Sequence, residues 1–295
     1  MKHLVATLLI AAVSMTTFAQ NSLEGNFLII RCDDIGMSHS VNMAAKELID
    51  EGLKFSASVM VPCGWFDEAV SLLKNANNVS VGIHLTLNSE WKNYRWGPVA
   101  GVSIVPSLVD SLGYFFPSRA KFFANNPSLD EVEIELRAQI EKAIKSGLKI
   151  SYLDYHMGTA VDKPEMRKIV EKLASEYKLA ISRYLGEKDM NSMYSVPVEL
   201  KYNHLVSVLD SLDNNNINLL VCHIGKDNDE LAAMIDLNEF GLKEMSKHRE
   251  AELNALLKAI QNNEFTKRKI NLINYSDLIK LKGIGQMRSP IETGY

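Results

Sequence analysis

Along most of this chain, apolar runs of strand length alternate with segments whose apolar positions recur every three or four residues. Residues 27–32 read as a strand, and 40–51 follow with a helical stripe at Val41, Ala44, Ala45, Leu48 and Ile49. The rhythm repeats with a strand over 56–61, a short helix over 65–73 and a strand over 79–87. It breaks at 88–128, where Trp91, Tyr94, Trp96 and four prolines stand in a stretch with little periodicity, an excursion rather than a simple crossover. Regularity returns with a helix over 129–146, opened by Ser128, Asp130 and Glu131 and closed by Gly147. Further strands are expected at 149–153, 179–182, 217–222 and 270–273. Helices are expected at 163–177, 198–212 and 243–262, with a last one starting at Ser276-Asp277. The stretch 282–295 carries little pattern and is expected to lie loosely on the surface.

About seven mostly continuous apolar strands separated by helices predict an α/β protein with a parallel sheet, either doubly wound or closed as a (β/α) barrel. In both, functional residues collect at the carboxyl ends of the strands. The 295 residues, 46% hydrophobic and with a net charge of -4, fit a single large domain over 20–295 and do not suggest a nucleic-acid binder. Residues 1–19 read as a signal peptide: Lys2 and His3 precede an apolar run over 4–13, and Thr17-Phe18-Ala19 offers a small-x-small cleavage site. The run is too short to span a bilayer and no Cys follows it to take a lipid, so the expectation is export to the periplasm or beyond, with no membrane anchor. Cys32, Cys63 and Cys222 are odd in number and end apolar runs, which suits buried thiols. A bridge between Cys32 and Cys222 stays open if their strands are neighbours.

The candidate chemistry sits at strand ends. Asp33 and Asp34 close the first strand, His84 comes late in the third, His156 follows Asp154-Tyr155, and His223 follows Cys222. A turn is the ordinary reading of Asp-Asp-x-Gly, and a hydrogen-bonded core residue the ordinary reading of a lone histidine. Four equivalent strand ends together favour a metal site. One carboxylate and two imidazoles leave open positions on a metal for water and a carbonyl oxygen, the layout of an amide or ester hydrolase. A neighbouring carboxylate can take a proton, His223 as imidazolium can protonate a leaving amine or steady an oxyanion, and Asp154 can orient an imidazole.

Cys32-Asp33-Asp34-Ile35-Gly36, Gly82-Ile83-His84-Leu85-Thr86-Leu87, Leu153-Asp154-Tyr155-His156-Met157-Gly158-Thr159 and Cys222-His223-Ile224-Gly225 resemble the successive motifs of the YdjC-like family, which includes the ChbG/HpnK carbohydrate deacetylases. The resemblance spans about 27–279. It implies a distorted (β/α) barrel related to polysaccharide deacetylases and one divalent metal ion, Zn or Mg leading, held by Asp34, His84 and His156. It also implies Asp33 as general base and His223 as catalytic acid or oxyanion partner. Met157, Gly158 and Thr159 stand where members acting on chitooligosaccharides tend to be histidine-rich, so the sugar is left open. Trp91 and Trp96 are assigned to a sugar-stacking rim, with burial as loop anchors the alternative. Arg249 is assigned to substrate, with pairing to Asp33 or a solvated helix charge as alternatives.

The expected function is metal-dependent removal of an acetyl group, N-acetyl before O-acetyl, from a sugar or oligosaccharide. A phosphoesterase and an idle glycan-binding protein are the rivals, and a homodimer is compatible with the sequence.

Overall fold

The computed structural model describes residues 25–290. Eight strands form one sheet in which every pairing is parallel: β1 (Asn26–Ile35), β2 (Phe55–Val59), β3 (Val79–Leu85), β4 (Ile150–Tyr155), β5 (Ala180–Ile181), β6 (Glu187–Asp189), β7 (Ile217–Cys222) and β8 (Ile270–Ile273). The order is β5-β4-β3-β2-β1-β7-β6. Because β7 takes one edge of β1 over 27–32, the other edge is divided, β8 pairing with Asn26 to Ile29 and β2 with Arg31 to Ile35. The sheet curls into a distorted, incomplete (β/α) barrel. Its edge strands β5 and β6 are consecutive in the chain, joined by 182–186, and among the described residues no strand pairing closes the gap between them.

Side-chain alternation explains how one strand serves two cores. Leu28, Ile30 and Cys32 pack outward into the large cluster shared with the helices, whereas Ile29 joins Tyr152, Leu219, Ile273 and Tyr275 inside the barrel. The interior is crowded enough that a Cβ on Gly82 would stand 2.3 Å from the Tyr152 ring, so β3 can carry only glycine beside that tyrosine.

The helices are α1 (His39–Asp50), α2 (Phe66–Leu73), α3 (Arg119–Ala124), α4 (Leu129–Lys145), α5 (Pro164–Tyr177), α6 (Lys201–Asp210), α7 (Asp229–Ala232), α8 (Met245–Gln261), α9 (Glu264–Lys267) and α10 (Tyr275–Lys282). Ser38 caps α1 by accepting from Val41 N. A capping box between Asn274 and Asp277 starts α10, two residues earlier than the sequence pattern suggests. None of the described helices is long and apolar enough to cross a membrane.

Two expectations change, and the buried thiols are found as expected. The polar, partly exposed β6 is an additional strand. Residues 282–290 do not lie loose: Met287 Sδ accepts from Ile181 N at 3.2 Å, Arg288 N donates to Tyr184 O at 2.8 Å, and Lys282 Nζ donates to Leu185 O at 2.6 Å, so the segment covers the barrel gap. Cys32 and Cys222 are cross-strand partners, yet both, with Cys63, are buried free thiols. The signal-peptide expectation over 1–19 falls outside the described residues.

Candidate active site

Strand alternation places Arg31 and Asp33 on the barrel side of β1 and would turn Asp34 outward. The backbone prevents this. The β1–β2 register shifts between Cys32 and Ile35, and Asp34 adopts φ 65°, which swings its carboxylate back over the strand end. Gly36, at φ 89° and with Met60 O only 3.3 Å from a would-be Cβ, completes the turn.

Asp34 Oδ1, His84 Nε2 and His156 Nδ1 then form a triangle with all three sides 3.3 Å. Each imidazole has its outer nitrogen on a carboxylate: His84 Nδ1 donates to Asp154 Oδ1 at 2.9 Å, and His156 Nε2 donates to Glu90 Oε2 at 3.0 Å. That fixes both tautomers with lone pairs facing the triangle. All five side chains are buried.

The donor set fits a divalent metal ion. Three atoms each about 2.0–2.1 Å from a shared ion at tetrahedral angles would be spaced much as these are. Asp34 Oδ1 is buried without a hydrogen bond. Four buried carboxyl groups, Asp33, Asp34, Asp154 and Glu90, face two guanidinium groups, Arg31 and Arg249, leaving a deficit of positive charge that a divalent ion would fill. Without the ion the imidazoles take up that demand. Burial pushes His84 down, but Asp154 and Asp33 raise it well above the usual range, and against the same burial Glu90 and Asp34 raise His156 to about 9.

Asp33 is held in a two-pronged ion pair with Arg31, Nε to Oδ1 at 2.7 Å and Nη2 to Oδ2 at 2.8 Å. Arg31 Nε also lies 3.0 Å from Asp154 Oδ2, so one guanidinium ties Asp33 to the carboxylate that orients His84. Burial raises the Asp33 carboxyl, but Arg31, His84 and His223 outweigh it and hold it at about 2. Asp34 is likewise pushed up by burial and held well below the usual range, chiefly by Arg249.

His223, half-buried at the end of β7, stays outside the triangle. Its Nδ1 is buried without a partner, its backbone N–H donates to Glu252 Oε2 at 2.7 Å, and the Tyr194 ring stands edge-on to it with centroids 5.1 Å apart. Burial and Arg249 push this imidazole below its ordinary value against the pull of Asp34, so it is neutral at pH 7 rather than the expected imidazolium.

Arg249 is neither solvated nor paired with Asp33. It is 4% exposed, its Nη2 donates to Asp34 Oδ2 at 2.5 Å, and its Nη1 has no partner. Trp91 and Trp96 are loop anchors rather than a rim. They are 3% and 4% exposed, with Nε1 donating to Met37 Sδ at 3.2 Å and to Asn88 O at 2.7 Å respectively. Glu90, Arg31 and Tyr194 are site residues that sequence reasoning did not assign. Beside the site, a cavity of about 470 Å³ opens between Leu231, Met234, Asp236, Leu242 and Met245.

A family model described as YdjC-like protein matches residues 27–262. The chain belongs to the YdjC-like family. Among curated members, a carbohydrate deacetylase of Brevibacillus brevis is 29% identical over 85% of this chain and 99% of its own length. One of Thermus thermophilus is 36% identical over 52% of this chain and 51% of its own. A crystal structure from Enterococcus faecalis, described as a putative cellobiose-phosphate cleavage protein, shares the fold at TM-score 0.70 and 23% identity, over 86% of this chain and 99% of that one. The YdjC-like match starts at residue 27, so the segment behind the export expectation lies outside it as well as outside the described residues. The relatives lend a signal peptide no support, and that expectation is dropped.

Proposed function

We propose that this YdjC-like protein is a carbohydrate deacetylase, a hydrolase that works with one divalent metal ion on an N-acetyl group before an O-acetyl group. The observation that carries the reading is the 3.3 Å triangle of Asp34, His84 and His156 beside the ionised Asp33, in a chain aligned with carbohydrate deacetylases over most of its length. A metal held by those three residues would acidify a water and polarise the acetyl carbonyl.

The chain's own residues do the rest. Asp33 is ionised at every working pH and stands ready to accept a proton. Arg31 fixes its direction, at the cost of weak basicity, which suits a proton donor that is itself acidified. Asp154 and Glu90 hold the outer ring nitrogens protonated, so that with a metal bound the inner nitrogens would face it with their lone pairs. The free Nη1 of Arg249 and a ring N–H of the neutral His223 offer donors to the oxyanion that develops as the carbonyl is attacked, and the proton that Asp33 accepts is returned to the leaving amine by way of His223. The sugar itself is held at the mouth of the barrel, where the half-buried Tyr194 covers His223.

The test is acetate release from N- and O-acetylated sugars by protein stripped with chelator and resupplied with single divalent metals. Release that returns with metal and disappears in Asp33→Asn is expected. Tight sugar binding without release would replace the enzyme by a glycan-binding protein, and turnover confined to phosphoesters would replace it by a phosphoesterase.

A further inference from the structure

With Trp91 and Trp96 buried, only one tryptophan of the three in the chain meets solvent: Trp65, 39% exposed. It follows the end of β2, at the same mouth of the barrel as Asp33 and Asp34. Its ring lies against the imidazole of His39, centroids 5.0 Å apart and inclined by 40°, and the His39 side chain is itself 45% exposed. The pair is held from beneath. His39 Nδ1 is 2.8 Å from Glu68 Oε1, and Asn42 Nδ2 donates both to Glu68 Oε2 at 2.8 Å and to Trp65 O at 3.0 Å. The same Asn42 accepts from Gly36 N at 2.8 Å, two residues from Asp34.

The platform is therefore braced to the strand end that carries Asp34. From another side, Gly64 N donates to Tyr94 Oη at 2.9 Å, Tyr94 packs on Trp96 at 5.8 Å, and Trp96 on His156 at 6.4 Å. A Cβ on Gly36 would stand 3.5 Å from the Cα of Phe66, so chain geometry bounds the Asp34-to-Trp65 Cα separation at roughly 16 Å. Within that limit, a sugar linked to one seated at the triangle can reach the platform.

An exposed aromatic pair has few structural reasons to be braced so thoroughly. Rigid aromatic faces with a polar edge suit the apolar C–H faces of pyranose rings, whose hydroxyls need hydrogen-bonding groups at the rim. We propose that Trp65, with His39, is a stacking platform for a sugar unit beyond the one being deacetylated, so that the protein prefers acetylated oligosaccharides to monosaccharides. The inference rests on the deacetylase reading for its kinetic form and on a binding measurement that needs no turnover.

The probes are N-acetylglucosamine, its β-1,4-linked dimer and trimer, and acetylated xylo-oligosaccharides. Trp65→Ala is expected to raise KM for the oligomers about five- to tenfold, leaving kcat within about a factor of two and the monosaccharide KM unchanged, with Trp65→Tyr recovering most of the loss. Equal oligomer KM values in wild type and Trp65→Ala would overturn the platform and leave the deacetylase standing. The second readout is acrylamide quenching of tryptophan fluorescence in the full chain, which reports Trp65 because the other two are buried. Oligomers that protect it in wild type and not in Trp65→Tyr support the platform even if no acetate is released. If no probe protects it, the platform is refuted whatever the enzyme does.

Discussion

Arg31 and Asp33, two positions apart on one face of β1, form a buried two-pronged ion pair of 2.7 and 2.8 Å. The guanidinium has little freedom to leave, because it also lies against Asp154 and its Nη1 donates to Ser182 Oγ at 2.7 Å. Replacing it by an apolar side chain strands two buried carboxylates. Arg31→Met is expected to destabilise the protein by about 3–5 kcal/mol. Urea denaturation of the chelated protein checks this, and a loss under 1 kcal/mol would mean that the pair is solvated.

The same pair sets an acid limit. The folded Asp33 value of about 2 lies below the unfolded value of about 3.9, so its contribution is full above pH ~4 and is lost as pH falls through ~2. In metal-free protein that contribution is roughly 2–3 kcal/mol. Stability followed from pH 5 to pH 2 should fall less steeply in Asp33→Asn, and equal slopes would count against a depressed Asp33.

The carboxylates behind the histidines should govern metal retention. Asp154→Asn and Glu90→Gln are each expected to weaken metal affinity about 10–100-fold, and His84→Ala more, because the amide cannot enforce the tautomer that points a lone pair at Asp34. Metal content after dialysis against a graded chelator distinguishes the variants. Unchanged retention in all three would remove the triangle as the binding site.

His223 should separate from that group. His223→Ala is expected to keep wild-type metal content while kcat drops by about 10²–10³. Loss of metal in this variant would make it a ligand instead of a proton donor.

The buried tryptophans should behave as packing. Trp96→Ala is expected to cost about 3–5 kcal/mol in unfolding free energy. Thermal unfolding measures it, and a fully stable Trp96→Ala with a raised oligosaccharide KM would return Trp96 to the substrate rim.

Much of this architecture is legible in the sequence because parallel strands buried on both faces announce themselves as continuous apolar runs, and the chemistry follows at their ends. Asp34, His84 and His156 are found that way. The outward-to-inward turn of Asp34 is not, since it depends on a register shift against β2 that no local pattern encodes. The strand β6, Glu-Lys-Asp, has no apolar signature because it is a partly exposed edge. Trp91 and Trp96 read as a rim because an aperiodic aromatic stretch looks the same whether its rings face sugar or the core, while Trp65 reads as the first residue of the helix that it precedes. Arg31 hides inside an apolar run, where its charge has no local reason and only the folded positions of Asp33 and Asp154 supply one.

The short segment ending in Met287 and Arg288 also has a bearing on self-association. By occupying the amide of Ile181 and the carbonyl of Tyr184, it blunts the free edge of β5, one border of the barrel gap. Peeled away, that side would offer a bare backbone ladder to any extended peptide, including the same edge of another copy. The last described turn of the chain therefore covers a free edge without adding a strand to it.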